Sequence, residues 1–226
     1  MSETLEAPQT ELVPHGLYDI DLDEFRRQIK QPSNAISTRG KRFKFPDGAS
    51  SPGPMDCIVL DFVEYNTLHD GPYDPDNLKA PTCWAYNKYT DSLAPDPLEV
   101  EGISESCTTC PKNDWVKDPK NPKKNVKECK NQYRLAVVQP KATAESDIFV
   151  LTVSPTGRKY WAKYLTSLRT AGRHHRQQIT TVDWDPNAQQ TLTFTSTKPH
   201  ELEPTTIQKL LTRCTEERLL YTSPAR

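Results

Sequence analysis

Apolar and polar positions divide this chain into two patterned stretches with an unpatterned one between them. Residues 55–65, Met-Asp-Cys-Ile-Val-Leu-Asp-Phe-Val-Glu-Tyr, carry the strongest strand pattern. Cys57, Val59, Asp61 and Val63 alternate there with Ile58, Leu60 and Phe62, so both faces are largely apolar in the middle. Upstream, residues 36–45 read as a basic, aromatic strand, followed by a Pro/Gly/Ser turn at 46–54. Residues 66–132 hold Pro, Asp, Asn, Lys and four cysteines with almost no apolar period. Pattern then resumes, with 133–139 and 147–153 predicting a hairpin. Ser154 is a good N-cap with Pro155 at the first helical position, predicting a helix to about Ala171 that Gly172 stops. Tyr160, Trp161, Tyr164, Leu165 and Leu168 make its buried face. Residues 177–184 and 190–196 predict a second hairpin turned at Asp185-Pro186-Asn187. A last helix over about 204–220 aligns Ile207, Leu210, Leu211 and Cys214. Before all of these, residues 1–16 read as disordered and 19–30 as a short helix with Leu22, Phe25 and Ile29 on one side.

Five or six strands with one helix between the third and fourth predict a mainly β, α+β protein with two helices. The count fits an OB-like Greek-key β-barrel with a cysteine-rich zinc-binding insertion; other small barrels and α+β sheets share it. The expected division is a disordered acidic arm at 1–18, a barrel from 19–65 and 133–200, an insertion at 66–132, and a C-terminal helix and tail at 201–226. Only 35% of the 226 residues are apolar, which argues for a small core with insertions. No signal-like start and no long apolar run are present, so no membrane span and a reducing compartment are expected.

Cysteine spacing carries the most specific chemistry. Cys107 and Cys110 enclose two threonines, with Cys83 upstream and Cys129 downstream. A Cys-x-x-Cys knuckle closed by two further thiolates makes the tetrahedral site of structural zinc, which leaves no open position for chemistry. One zinc ion would also supply what a core-poor insertion lacks. Reduced, unliganded thiols and a redox pair are the alternatives. Cys57 and Cys214 lie on apolar faces and read as core thiols.

Net charge is −1, but its distribution is uneven. Residues 1–25 hold seven acids and no Lys or Arg, whereas 107–134 hold eight basic and three acidic residues. This suggests a polyanion site with an acidic arm that competes for it; a solvated surface with a disordered end is the alternative. Arg39, Lys41, Arg42, Phe43, Lys44 and Phe45 interleave cations with rings, the combination that binds single strands by phosphate contact and base stacking. The two phenylalanines read rather as core, and the cations as contacts. Trp84, Tyr86, Tyr89 and Trp115 sit in polar surroundings and either pack on the knuckle or face a ligand. Lys120, Lys123, Lys124, Lys127 and Lys130 form a basic run suited to phosphate. Arg169, Arg173, His174, His175 and Arg176 make a second basic cluster after the middle helix. No Gly-rich phosphate loop or Ser-His-Asp set exists, and His174-His175 lacks the carboxylate partners a nuclease needs.

Pro81-Thr82-Cys83, Cys107-Thr-Thr-Cys110-Pro111, Asn113, Trp115 and Lys127-Glu-Cys129-Lys130 together resemble a cysteine pattern of single-stranded DNA-binding proteins of tailed bacteriophages. So does Ser154-Pro-Thr-Gly-Arg-Lys-Tyr-Trp161 with Tyr164, and the resemblance spans roughly 55–200. The chain is also similar to T4-type single-stranded DNA-binding proteins, whose zinc sits in an OB-like core on a histidine with cysteines, where this chain offers four cysteines. Such proteins often end in an acidic tail that recruits partners. Here the last residues are Tyr-Thr-Ser-Pro-Ala-Arg and the acids lie at the start. The resemblance implies a non-catalytic, sequence-independent binder of single-stranded DNA in phage replication, recombination or repair, acting in the cytoplasm of the infected bacterial host. Replication or recombination proteins are its expected partners. The alternative is a zinc-containing module that contacts host or replication proteins.

Overall fold

In the structure, a computed structural model, residues Asn34–Arg226 make one compact unit, of which 34–71, 80–119 and 121–221 are described. The expected N-terminal arm and the helix at 19–30 lie outside these residues, as does Lys120. The unit is a mixed α+β fold, mostly sheet, with two α-helices among the described residues. Its main sheet has the strands β1 (Ala35–Ile36), β4 (Met55–Leu68), β5 (Cys83–Asn87), β8 (Lys130–Val138), β9 (Phe149–Val153), β10 (Gln178–Trp184) and β11 (Leu192–Pro199). They run in the order β1-β9-β8-β4-β10-β11, and β5 pairs with β4 beside this path. Two small ribbons complete the strands: β2 (Phe43–Lys44) with β3 (Ser50–Ser51), and β6 (Val116–Asp118) with β7 (Asn121–Val126).

β4 organises everything else. Its start pairs with β10, its end with β5, and almost its whole length with β8. Val59 opposes Val137 and Asp61 opposes Ala136, so Leu60 is an extra residue, a bulge. A bulge shifts the period-2 alternation by one. Cys57 and Val59 therefore share a core with Phe62, while Ile58 and Leu60 share the opposite core with Val63. The strict alternation expected from the sequence is overturned here, and Asp61 does not join the face of Cys57 and Val59. It pairs with Lys88 at 2.8 Å and Arg176 at 3.5 Å instead. The Nε–H of Arg176 also donates to the Leu60 carbonyl at 2.6 Å, satisfying the bulge.

Each sheet face is closed by one helix. Helix α1 (Arg158–Thr170) lays Trp161, Tyr164 and Leu168 on Cys57, Val59, Leu135, Val137, Leu151, Val182 and Phe194. Helix α2 (Pro204–Glu216) and the turn Leu219–Tyr221 lay Leu210, Cys214, Leu219 and Leu220 on Ile58, Leu60, Val63, Ala136, Val138 and Val150. Cys57 and Cys214 are thus core thiols, and burial, then Asp56, pushes Cys57 up to about 12. Ser154 does not cap α1. Ser154-Pro155-Thr156 forms a turn whose Ser154 carbonyl accepts from Gly157 N–H at 2.9 Å, and the helix starts three residues later than expected. Gly172, with φ +65°, ends α1 as predicted: Arg173 N–H reaches the Leu168 carbonyl and Gly172 N–H the Arg169 carbonyl.

The strand expected at 36–45 is two short strands with a turn between them. Gly40 and Lys41 both take left-handed conformations, φ +68° and +54°, and Ser37 and Lys44 exchange backbone hydrogen bonds at 2.9 Å across that turn. The path of the main sheet ends at β1 and β11, and no pairing joins these ends among the described residues. The described strands therefore do not form a closed ring. No helix among the described residues is long and apolar enough to cross a membrane.

Candidate metal centre and nucleic-acid interface

Sheet register brings the cysteines together. Leu68 at the end of β4 opposes Cys83 on β5, and Thr67 opposes Lys130 on β8, so Cys83 and Cys129 flank the same strand end. The Cys107–Cys110 turn is tied down from both sides. Cys107 N–H donates to the Leu93 carbonyl, Asn113 N–H to the Cys110 carbonyl, and Cys129 N–H to the Lys112 carbonyl, each at 2.9 Å. The Asn113 side chain donates to the Cys107 carbonyl at 2.7 Å. Leu93, Ala85 and Cys107 form a small apolar cluster beneath the turn.

All four cysteines line one cavity of about 20 Å³, together with Asn66, Trp84 and Asn113. That is room for about one water molecule. Burial pushes the Cys107 thiol up to about 11 and the Cys129 thiol up to about 12, each raised further by the neighbouring thiols. A hydrogen bond from Asn66 opposes the rise at Cys107. Among the described residues no group of three or more His, Cys, Asp or Glu side chains stands in a metal-holding arrangement. The four sulfurs are neighbours around one space and are not drawn into a tetrahedron.

The expected nucleic-acid residues separate into three sets. Phe43 is fully buried and stacks on Trp184 with centroids 5.0 Å apart, which settles it as core. Phe45 packs on Phe149. Trp84 Nε1–H donates to Glu99 at 3.4 Å, the Tyr86 hydroxyl donates to the same carboxylate, and Tyr86 packs edge-on against Tyr221. Trp84 is thus bonded within the insertion, and Tyr86 packs on the core under α2 and the C-terminal turn. Arg176 is committed to the β4 bulge.

The second set lies within the insertion and is exposed apart from half-buried Lys127. Trp115 and Tyr89 are 68% and 69% exposed. Trp115 leads into the β6–β7 ribbon, which carries the exposed Lys123 and Lys124. Lys127 sits with its ammonium 5.4 Å from the Trp115 ring centroid, and Lys130 is exposed at the start of β8. The third set lies elsewhere. Arg39, Lys41, Arg42 and Lys44 are exposed on the turn before β2 and on β2 itself, where Arg42 donates to Ser50 at 3.0 Å. Arg173 is exposed beyond α1. Neighbouring His175 is buried and pushed down to about 3, first by burial and then by His174 and Arg176. A buried neutral imidazole packed on Phe62 and Trp161 fits a core role.

Sequence reasoning missed the side chains between these sets. Glu64 and Asn66 on β4, Asn113, Asn131 on β8 and Arg158 at the start of α1 converge with Lys127 on one cleft. Their signal is a run of polar residues at the end of a strongly apolar strand pattern. No family model, curated protein or solved structure matches this chain.

Proposed function

We propose that this chain is a zinc-stabilised, non-catalytic binder of single-stranded DNA with an OB-like core. It would serve phage DNA replication, recombination or repair in the host cytoplasm. The observation that carries the reading is the convergence of Cys83, Cys107, Cys110 and Cys129 on one ion-sized cavity in an insertion that also carries exposed Trp115, Lys123, Lys124 and Lys130 and half-buried Lys127. Four sulfur donors from a knuckle and two strand ends are the donor set of structural zinc. Holding the ion requires only that the sulfurs close in and lose their protons. The OB-like reading is supported by the meander β4-β8-β9, the helix α1 after it, and the hairpin β10–β11 returning to the other edge of β4. Metal analysis combined with electrophoretic shifts of single- and double-stranded oligonucleotides tests the proposal. One zinc per chain and a preference for single strands that weakens with salt are expected. Absence of zinc, or equal affinity for duplex, would count against it.

A second reading is favoured by a different observation. The exposed large apolar residues Tyr89, Leu98, Ile103, Trp115 and Val116 all fall inside the insertion. Such a surface also suits a protein partner, in which case the sheet is scaffold and single strands bind weakly at all salt concentrations.

A further inference from the structure

Below the start of α1, the sheet face that leads to the cysteine knuckle carries a second, polar cleft of about 150 Å³. That is space for a phosphodiester group and far below the room a drug-sized ligand needs. Its floor is built. Glu64 and Asn66 are only 7% and 2% exposed. Glu64 accepts from Thr90 at 2.8 Å and Tyr133 at 3.1 Å, and pairs with Arg158 at 2.9 Å. Asn131 donates to Asn66 at 2.7 Å and to Asn113 at 2.8 Å. Lys127 donates to Asn113 at 3.2 Å and Asn131 at 3.1 Å.

The donors and acceptors of this cleft do not balance. Every amide and carboxylate oxygen of its floor already receives a donor. An ammonium has three N–H groups and a guanidinium five. Lys127 therefore keeps a proton beyond its two amide partners, and Arg158 keeps donors beyond Glu64 and Tyr133. Glu64 is the cleft's one carboxylate, against two cations. A site with surplus N–H donors selects a ligand that only accepts, an oxyanion.

The surroundings point to which oxyanion. Trp115 offers a flat, exposed ring 5.4 Å from the Lys127 ammonium, and a nucleotide presents an anion and a flat ring one sugar apart. Exposed Lys159 follows Arg158 at the start of α1, with its ammonium 4.9 Å from the Tyr160 ring centroid, so a further cation continues from the cleft along this end of the helix. We infer that this cleft seats one phosphate of a bound single strand on Lys127 and Arg158, with the adjoining base over Trp115, and that the strand runs on past Lys159. The inference rests on the single-strand reading and adds Arg158 and Lys159 to its contacts.

Fluorescence anisotropy with a labelled oligothymidylate across salt tests it, with zinc content and thermal midpoint measured for each variant. Lys127→Gln is the first variant. Arg158→Gln is made together with Glu64→Gln, so that no buried carboxylate is left unpaired. Lys123→Ala/Lys124→Ala on the ribbon is the reference outside the cleft. Lys127→Gln should weaken binding several-fold and lower the salt slope by about 0.7, and the Glu64/Arg158 pair should do likewise. Wild-type affinity and slope in both cleft variants, with a loss in the ribbon variant, would overturn the cleft and leave the single-strand reading standing. A wild-type protein that ignores single strands at low salt would remove both. Amine footprinting of the unmutated protein gives a readout free of folding effects: the oligonucleotide should protect Lys127 and Lys159 and leave Lys209 on α2 reactive, and unprotected Lys127 counts against the seat. Inorganic phosphate should displace the oligonucleotide no better than chloride of equal ionic strength. Phosphate-specific displacement that Lys127→Gln abolishes would assign the cleft to the free ion instead.

Discussion

Replacing Trp115 by Ala separates a ring that touches DNA from one that holds the fold. Trp115 is 68% exposed, so about a third of its surface is covered. For a large aromatic side chain this is about 60–80 Å², worth at most about 2 kcal/mol. An unfolded chain more compact than the extended reference lowers that further. Truncation should therefore cost about 1–2 kcal/mol in urea unfolding, its share of the Lys127 contact included. Stacking on a base is worth about 1–3 kcal/mol, so oligonucleotide affinity should fall about 5- to 150-fold under conditions where the variant stays folded. Trp161 provides the contrast. It is fully buried against Phe62, Tyr164 and Phe194, and Trp161→Ala should cost about 3–5 kcal/mol in stability. Wild-type affinity in Trp115→Ala, with an unfolding loss as large as that of Trp161→Ala, would refute the assignment of Trp115 to the interface.

Other perturbations have equally definite signs. Cys107→Ser should abolish the bound zinc and make residues 66–132 sensitive to protease, while the unfolding transition of the sheet core persists; full zinc in this variant would remove Cys107 from the ligand set. Arg176→Ala breaks the hydrogen bond to the Leu60 carbonyl and the contact with Asp61. It should lower stability by about 1–3 kcal/mol and leave oligonucleotide affinity unchanged, as paired unfolding and binding titrations would reveal. His175 is held at about 3, below the ordinary 6.5, chiefly by burial. The unfolded chain therefore binds the proton first as pH falls, and the native state loses stability progressively from about pH 6.5 down to about 3. His175→Gln should flatten that acid limb in pH-dependent unfolding, and an unchanged limb would place the sensitivity elsewhere.

Strands and helices with an apolar period were legible from the residues alone. The strands expected at 55–65, 133–139, 147–153, 177–184 and 190–196 are all found, most with ends shifted by one to three residues, and Trp161, Tyr164, Leu168, Leu210 and Cys214 all point into cores. The bulge at Leu60 was not legible, because β-branched and aromatic residues on both sides of it satisfy either face. The β6–β7 ribbon was hidden for the opposite reason: Lys117, Lys123, Lys124 and Asn125 give it no apolar alternation. The four cysteines could be grouped by spacing, and they line one cavity. The polar cleft could not be grouped, since Glu64, Asn66 and Asn131 become neighbours only through the register of β4 against β8. Phe43 shows the limit of composition at a candidate interface: a ring among cations can be core when a partner such as Trp184 waits behind it.

The central claim is that a zinc-loaded protein grips single strands through phosphate contacts beside the cysteine knuckle. Titration of a labelled oligothymidylate with metal-analysed protein, repeated from low to moderate salt, measures it directly. One zinc per chain is expected, with an affinity that falls linearly on logarithmic axes at a slope of about −0.7 for each phosphate held. Protein carrying its zinc that leaves the oligonucleotide unbound at the lowest salt would contradict it.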